Sequence, residues 1–431
     1  MKMDKALADT RQAVEKQDAA EHKIIPDETE NAAPVMSERL VGVVGGFIAA
    51  IGAVSMGLYT PAMPEIVQAF GTTEAMVKLT LSTFFGGFCL AQLVCGPMAD
   101  GWGRRPVTIG YMLVYLIASV AALLSSNIET LLVARFFQGV GAAVGVTVSR
   151  AMVRDLFTNE ASARVMNLIG IVIAVGPAVS PTLGGLTMHY FGWHAIFVIM
   201  VLLGLAVVLT AVFVIRETGT PDRTRLHIKP LLSAYGRLLR SRHFMYPTLA
   251  VAGATGALYT AATILPFVLM QKIGLSPTEF GLGLLLQTSF YLSGGLLFRV
   301  LMGRFGAREL ATAGYVIILA ASAMIITMLS LFEPTYLRVM LPMACYAFGI
   351  AFVMPQMTSA GMAPFPQMAG SASALMGFFQ MSGGLVGGSV AATLSDPLFA
   401  MALLIPSFGV LAMGSYILWR RLPPLPPVIL R

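Results

Sequence analysis

The stretch Gly96–Arg105, GPMADGWGRR, lies where one long apolar run, 76–98, gives way to the next, 106–125. Each run is long enough to cross a bilayer as a helix, which takes ~20 apolar residues. The stretch holds three glycines, and glycine lets the chain turn tightly and lets helix ends approach closely. Its charges are one acid, Asp100, and the adjacent bases Arg104–Arg105. The sequence therefore predicts a tight turn between two membrane helices, with an ion pair at the membrane surface.

The composition indicates that the bilayer is the solvent of this chain. Mean hydropathy is +0.79, and 57% of the 431 residues are apolar. Only 11% are charged, against ~25% in a typical soluble domain. The three cysteines, Cys89, Cys95 and Cys345, lie in apolar runs without a CxxC pair or a nearby histidine. We expect them to be small core residues, so neither a disulfide framework nor a metal site is predicted.

Twelve apolar segments follow residue 40, each long enough to span a bilayer. They are 41–63, 76–98, 106–125, 130–152, 166–188, 195–215, 246–269, 280–302, 311–331, 337–358, 371–394 and 398–419. A polar stretch divides them six and six. The sequence thus predicts an all-α integral membrane protein with an N-terminal half at 40–216, a cytoplasmic linker at 217–244, a C-terminal half at 245–420 and a tail at 421–431.

Charge predicts the orientation. Residues 1–39 are polar, with six Lys or Arg and nine Asp or Glu, and are expected to form a disordered cytoplasmic tail. No hydrophobic run follows a basic start, so a cleaved signal peptide is not expected. With the N-terminus inside, eighteen Lys or Arg residues beyond residue 40 fall on the inner side and three on the outer side. That asymmetry predicts cytoplasmic termini. The positive charge is spread among helix ends, so nucleic acid is not an expected partner.

The two halves repeat each other. The sequence GRFGAREL, 303–310, repeats DGWGRRPV, 100–107, with Gly306 at the position of Gly103. Small residues also recur at spacing four in the fifth segment and in the eleventh: Gly176, Ser180 and Gly184, then Gly383, Gly387 and Ala391. Spacing four places each set on one helix face and permits close backbone contact. Two pseudo-symmetric six-helix halves account for both repeats.

Arg135 is the one charge well inside a predicted span, and Gln138 lies one turn further on the same face. A charged side chain in lipid is costly, so we expect Arg135 to face the bundle or water and to have a partner. The alternative is that its side chain extends to the outer membrane surface. The same segment ends in a cluster placed to pair with the Gly96–Arg105 turn, formed by Arg150, Arg154 and Asp155.

Further candidates are defined by prolines and by polar side chains in apolar segments. Pro61 and Pro64 predict a break in the first helix, beside which Tyr59 and Thr60 would offer hydroxyls to a cavity. Alternatively, Tyr59 anchors that helix at the interface. The fifth segment predicts a kinked hinge with a flat packing face, formed by Gly176, Pro177, Ser180, Pro181, Gly184 and Gly185. That face can seal against the eleventh segment, let it rock, or serve simple close packing. The second half predicts a cavity for an amphipathic molecule, lined by Tyr259, Gln287, Tyr291, Gln356, Phe379 and Gln380.

These motifs resemble the major facilitator superfamily. The motif that follows its second helix is matched by Gly96, Asp100, Gly103, Arg104 and Arg105. The run LLVARFFQGVGAA, with Arg135, Gln138 and Gly139, looks like the fourth-helix motif of its proton-coupled members. The fifth-helix residues resemble its antiporter motif, with Ser180 in place of a glycine.

Three further runs narrow the resemblance: RAMVRDLF (150–157), LYTPAMPEI (58–66) and AGSASALMGFFQ (369–380). They resemble the Bcr/CflA group of bicyclomycin- and chloramphenicol-resistance exporters. The resemblance covers nearly the whole chain from residue 40. It implies drug:proton antiport across a bacterial inner membrane by two rocking halves, with the proton gradient as energy source and no cofactor.

One position departs from that group, which commonly has an acid in the first helix where this chain has Gly57. No Asp or Glu lies deep in any predicted span. The proton is then carried by Asp100 or another peripheral acid, or displaced near Arg135, or coupling is weak or absent. Without a midplane carboxylate to hold a cation, neutral or anionic substrates are expected over quaternary ammonium dyes.

The sequence therefore predicts a monomeric exporter of small amphipathic compounds, in which Arg135 and Gln138 tune proton coupling and the Asp100–Arg105 charges close the cytoplasmic side. A metabolite carrier of the same fold is one alternative. A membrane sensor or scaffold is another, although the tail and linker are short for an added domain. An enzyme is not expected, because the five histidines are scattered and no Walker loop, Ser/His/Asp cluster or metal-ligand spacing occurs.

Overall fold

The computed structural model describes residues 35–223 and 227–423, whose regular structure is helical throughout. The α-helices are α1 (Glu38–Tyr59), α2 (Met63–Ala69), α3 (Glu74–Trp102), α4 (Arg104–Leu123), α5 (Ile128–Ala142), α6 (Val144–Leu156), α7 (Asn159–Phe213), α8 (Ile228–Arg240), α9 (Arg242–Pro266), α10 (Pro277–Phe305), α11 (Ala307–Leu331), α12 (Tyr336–Met362), α13 (Ala369–Thr393) and α14 (Pro397–Arg420). Most of the predicted tail at 1–39 and of the tail at 421–431 lies outside the described residues.

Eleven helical spans in the described part of the chain are long and apolar enough to cross a membrane. The longest, α7, has 55 residues. As one straight helix it would extend about 83 Å, far beyond the ~30 Å hydrocarbon core. Gly192 interrupts it with φ 71° and ψ 180°, beyond Pro177 and Pro181, the prolines for which a kink was predicted. α7 is therefore two crossings, which confirms the twelve predicted segments within the described residues.

The repeated hairpins both turn on a glycine. Gly103 joins α3 to α4 with φ 106°, and Gly306 joins α10 to α11 with φ 79°. Residues with a Cβ rarely adopt such values, so the repeat seen in the sequence is a repeat of backbone geometry. We call the end of the bundle that holds these two residues the Gly103 end; it is the predicted cytoplasmic end.

At the opposite end, side-chain caps fix where helices begin. Thr73 accepts a hydrogen bond from the backbone N–H of Met76 at the start of α3. Ser276 and Glu279 form a reciprocal capping box at the start of α10. These caps satisfy backbone N–H groups that a helix start leaves unpaired. The predicted proline break also lies at this end, where α1 stops and a 3-10 turn covers Thr60–Ala62.

The small residues of α7 pack against α1 and not against α13, so the predicted seal between the fifth and eleventh segments is wrong. A Cβ on Gly184 would lie 2.6 Å from the Leu58 carbonyl oxygen, and one on Gly176 would lie 3.2 Å from a side chain of α1. The small face of α13 packs in the same way on α9, where a Cβ on Gly383 would lie 2.7 Å from the backbone. A spacing of four fixes a flat helix face, but it does not determine which helix covers that face.

The two halves meet through the neighbouring glycines of the same helices. Gly185 of α7 leaves no room for a Cβ against the Pro277 carbonyl oxygen of α10. Gly384 of α13 lies against α3, where a Cβ would come within 2.8 Å of the Phe85 ring. The pairs α7–α10 and α13–α3 therefore join the halves by pseudo-symmetric contacts.

Candidate functional site

Arg135 lies in α5 and is completely buried, with 0% of its surface exposed. The alternative that its side chain extends to the membrane surface is therefore wrong. Its Nη1 donates a hydrogen bond to Oε1 of Gln138 at 2.9 Å. Its guanidinium carbon lies 4.3 Å from the ring centroid of Tyr59 and 4.5 Å from that of Phe84. The expected partners of this charge are thus an amide oxygen and two aromatic faces.

No carboxylate in the described part of the chain forms an ion pair with Arg135. Two of its nitrogens, Nε and Nη2, are buried without a hydrogen-bond partner. An unsatisfied charged donor in a dry interior is costly. The arrangement therefore leaves a strong donor site for an anion, a carbonyl or a proton-bearing water.

Gln138 connects Arg135 to two neighbouring helices. Its Nε2 donates to Oγ of Ser119 in α4 at 2.8 Å. It also donates to Sδ of Met200 in α7 at 3.5 Å. These bonds fix the amide of Gln138 with its oxygen toward the guanidinium, so the two predicted residues act as one unit.

Tyr59 and Thr60 lie in the interior of the N-terminal half. Tyr59 is 0% exposed, and its hydroxyl lies 2.6 Å from Oγ1 of Thr80. Thr60 is buried and donates to the Gly57 carbonyl at 3.1 Å. Neither hydroxyl reaches a cavity, contrary to the prediction, and Tyr59 is not an interfacial anchor. Its ring instead forms one face of the Arg135 site.

Two glycines bring Arg135 against α3. A Cβ on Gly139 would collide with the Phe84 carbonyl oxygen, and one on Gly87 would collide with that of Phe136. Because both obstacles are backbone atoms, α3 and α5 cross in direct backbone contact. The close crossing places the Phe84 ring on the guanidinium of Arg135.

At the Gly103 end, Arg104 is held between two acids. Its Nη1 lies 2.6 Å from Oδ1 of Asp100, and its Nε lies 2.9 Å from Oδ2 of Asp155. The Arg104 side chain is 7% exposed, against 26% and 15% for the acids. The predicted ion pair therefore exists and also includes the end of α6. All three residues belong to the N-terminal half.

The second arginine of the motif and a missed residue, Glu217, tie the start of α4 to the end of α7. Arg105 donates to the Val212 carbonyl at 2.6 Å, where α7 ends. Glu217 accepts from the backbone N–H groups of Arg104 at 2.7 Å and Arg105 at 3.2 Å. A carboxylate and an arginine thus satisfy a helix start and a helix end. In the sequence, the indication that α4 needs such a partner is that Gly103, the residue before α4, has no side chain to cap the helix.

The other predicted cluster members lie elsewhere. Arg150 does not pair with the turn; its Nη1 donates to Oγ of Ser373 in α13 at 3.3 Å, across the two halves. Arg154 is exposed. A Cβ on Gly96 would lie 3.6 Å from Thr147 of α6, which is ordinary van der Waals contact.

Replacing Arg104 with alanine should destabilise the protein by about 3 kcal/mol, because it leaves two neighbouring carboxylates without their cation. Thermal unfolding of the purified protein in detergent measures the effect. Arg154→Ala removes an exposed arginine at the same end of the bundle; it is the control and should change little. Equal unfolding temperatures for Arg104→Ala and wild type would show that the cluster contributes no stability.

A second buried cation is Lys78, one of the three Lys or Arg residues that the charge count assigns to the outer side of the membrane. Lys78 is 1% exposed in α3, and its Nζ lies 3.3 Å from Oε2 of Glu74. The ammonium also lies 4.9 Å from the ring centroid of Phe267, which belongs to the C-terminal half. The contact between halves at the end opposite Gly103 therefore covers the lysine of an ion pair whose Glu74 side chain is 35% exposed.

Two of the predicted cavity residues of the second half, Tyr259 and Phe379, lie in different contacts. Tyr259 meets Phe85 of α3 between the halves, with ring centroids 5.3 Å apart. Phe379 instead packs against an apolar cluster around Leu238 at the Gly103 end. The remaining four predicted residues are partly or largely exposed: Gln287, Tyr291, Gln356 and Gln380. Among them, only Gln287 has a buried side-chain oxygen without a hydrogen-bond partner.

Comparison with known proteins identifies the family. A family model described as Major Facilitator Superfamily matches residues 45–388. This chain belongs to the major facilitator superfamily. The membership confirms the predicted fold of two six-helix halves and the expectation that the chain is a transporter and not an enzyme.

Relatives and solved structures agree with that membership. The "Uncharacterized MFS-type transporter YdgK" of Bacillus subtilis (strain 168) is 30% identical over 356 residues, 81% of this chain and 87% of that protein. The "Multidrug resistance protein MdtL" of Klebsiella pneumoniae (strain 342) is 27% identical over 328 residues, 76% and 81% of the two chains.

Among solved structures, a D-xylose-proton symporter is 12% identical with a TM-score of 0.71, over 89% of this chain and 98% of that chain. The human organic anion transporter MFSD10 is 18% identical with a TM-score of 0.60, over 89% of this chain and 100% of that chain. At these identities the likeness is one of fold.

Proposed function

We propose that this protein exports small amphipathic compounds, neutral or anionic, from the bacterial cytoplasm in exchange for protons. The Gly103 end and both termini would face the cytoplasm, and the proton gradient would be the energy source, without a cofactor. The similarity to the Multidrug resistance protein MdtL supports the substrate class. The proposal places the protein in the inner membrane as a monomer.

The buried guanidinium of Arg135 is the observation that carries the proposal. Its two unmatched nitrogens and its neutral neighbours suit a group that binds an anion or responds to a proton. Every described Asp or Glu lies in the first or last turn of a helix or in a connection. No described carboxylate is therefore positioned at mid-membrane to hold a cationic drug, which favours neutral and anionic substrates.

The remaining motif residues receive roles in alternating access. The cluster of Arg104 with its two acids keeps the ends of α3, α4 and α6 together as one rigid body. Gly185 and its neighbours permit the close α7–α10 contact. This contact has to loosen when the end of the bundle opposite Gly103 opens. Asp100, the more exposed of the two acids, is the proposed proton-accepting group.

Inverted membrane vesicles with a pH-sensitive dye test this proposal. After respiration has formed a gradient, chloramphenicol-like neutral compounds should partly collapse it in vesicles that contain the wild-type protein. Asp100→Asn should reduce the response, and vesicles without the protein should give none. Uptake of labelled compound without any change in the gradient would mean a carrier that is not proton-coupled. No uptake of any drug in the panel would favour a metabolite carrier of the same fold.

A further inference from the structure

Helix α8 lies between the two halves and has no role in the proposed transport cycle. It ends at Arg240, and a single residue, Ser241, separates it from α9, a membrane span that begins at Arg242. So short a connection places the last turn of α8 at the surface of the membrane. The sequence of α8, IKPLLSAYGRLLR, contains no acid.

One face of α8 is fixed against the transmembrane bundle. Tyr235 and Leu238 are buried, at 8% and 0% exposed, and belong to one apolar cluster with Phe244 of α9 and Leu375 of α13. These contacts join α8 to the C-terminal half. They also fix its rotation about its own axis.

A proline in the N-terminal half supplies the second attachment. The Tyr235 hydroxyl donates to the Leu93 carbonyl of α3 at 2.6 Å. In a regular helix that carbonyl would accept from the N–H of residue 97, but Pro97 has none. Tyr235 therefore satisfies the carbonyl that the proline leaves open, and α8 spans both halves at the Gly103 end.

The faces that point away from the bundle are one apolar flank and one basic flank. Leu232 and Leu239 are seven residues apart, on one side of the helix, and are 62% and 47% exposed. The adjoining flank carries exposed basic side chains, which are Lys229, Arg237 and Arg240. Helices that lie in a membrane interface combine an apolar flank with Lys and Arg in this way.

We propose that α8 is a docking site for anionic phospholipids, whose phosphates bind the basic flank while Leu232 and Leu239 enter the acyl region. The charge complementarity is complete, since the helix has basic residues and no acid. The membrane is also the surface that lies beside it. Because α8 is attached to both halves, bound lipid would stabilise their contact at the Gly103 end. This inference does not depend on the transported substrate.

Lipid binding to the purified full-length protein tests the proposal. Native mass spectrometry would compare phosphatidylglycerol with phosphatidylcholine for wild type and for the triple variant K229Q/R237Q/R240Q. Wild type should prefer phosphatidylglycerol, and the variant, which lacks three basic charges, should bind it about a hundredfold more weakly. The matched control, R299Q/R304Q/R308Q, removes three exposed charges from α10 and α11 and should keep the preference.

Equal losses in the two triple variants, or none in the α8 variant, would overturn the proposal. So would tight binding of soluble inositol hexaphosphate to α8 without a preference for phosphatidylglycerol, since the ligand would then be a soluble polyanion. Depth provides an independent check. Bromine-tailed lipids should quench a tryptophan introduced by Leu232→Trp and spare one introduced by Ser233→Trp on the polar side of the helix. Equal quenching of both would show that the apolar flank does not enter the acyl region.

Discussion

Replacing Arg135 with methionine should abolish proton-coupled export while leaving the thermal stability of the protein unchanged or higher. The wild-type guanidinium is fully buried, has no described carboxylate partner and leaves two nitrogens without acceptors. Replacing a poorly compensated buried charge by an apolar side chain of similar volume is often neutral or stabilising. Loss of export without loss of stability would therefore identify Arg135 as a functional residue and not a structural one.

Gln138→Leu should have the opposite effect on stability. It removes the one amide oxygen that accepts from the guanidinium, at 2.9 Å, and a hydrogen bond to a charged group contributes about 1.5–3 kcal/mol. In the double variant R135M/Q138L this loss should shrink, because no charge remains to be satisfied. Unfolding in detergent and dye-monitored efflux in vesicles give the two readouts. A marked drop in the unfolding temperature of Arg135→Met would assign that residue to the fold instead.

The sequence was informative where one short stretch determines both conformation and chemistry. Gly103 and Gly306 predicted matching turns, and both have the positive φ that glycine permits. Pro61 predicted the end of the first helix, since proline removes a backbone donor wherever it occurs. The burial of Arg135 followed from a charge in an apolar run. These are local properties, independent of distant parts of the chain.

The contacts that the sequence did not predict involve partners that are remote in sequence. Lys78 has the sequence environment of an outer-surface lysine, and Phe267, from the other half, is what covers it. Glu217 lies more than a hundred residues beyond the backbone N–H groups that it caps. One residue of the predicted cavity was misplaced for a similar reason, because α8 and its cluster lie against Phe379. Helix periodicity shows which side chains share a face, but tertiary packing decides what each face meets.

Gly57→Asp should destabilise the protein on its own, and Ser180→Gly should relieve the overpacking part of that cost, as thermal unfolding in detergent would measure. A Cβ at position 57 would collide with the Ser180 hydroxyl and would lie 2.9 Å from its Cβ and 3.1 Å from Cδ of Pro181. Overpacking of this kind costs about 1–3 kcal/mol, and a buried carboxylate adds to that cost. Ser180→Gly removes the main obstacle. Gly57 stands where the Bcr/CflA group commonly has an acid, and Ser180 stands where the antiporter motif has a glycine. These two departures therefore face each other in one helix contact.

The double variant tests what sets the charge of the substrate. The membrane span that contains Gly57 continues past α1 to Ala69, so a carboxylate at position 57 would lie deeper in the membrane than any described Asp or Glu of the wild type. The double variant should then export a permanent lipophilic cation such as tetraphenylphosphonium, which wild type and Ser180→Gly alone should not export, as measured by uptake into inverted vesicles. Export of that cation by wild type would contradict the proposed preference for neutral and anionic compounds. A folded double variant that transports only neutral compounds would show that substrate charge is selected elsewhere, leaving the buried cations Arg135 and Lys78 as the next positions to change.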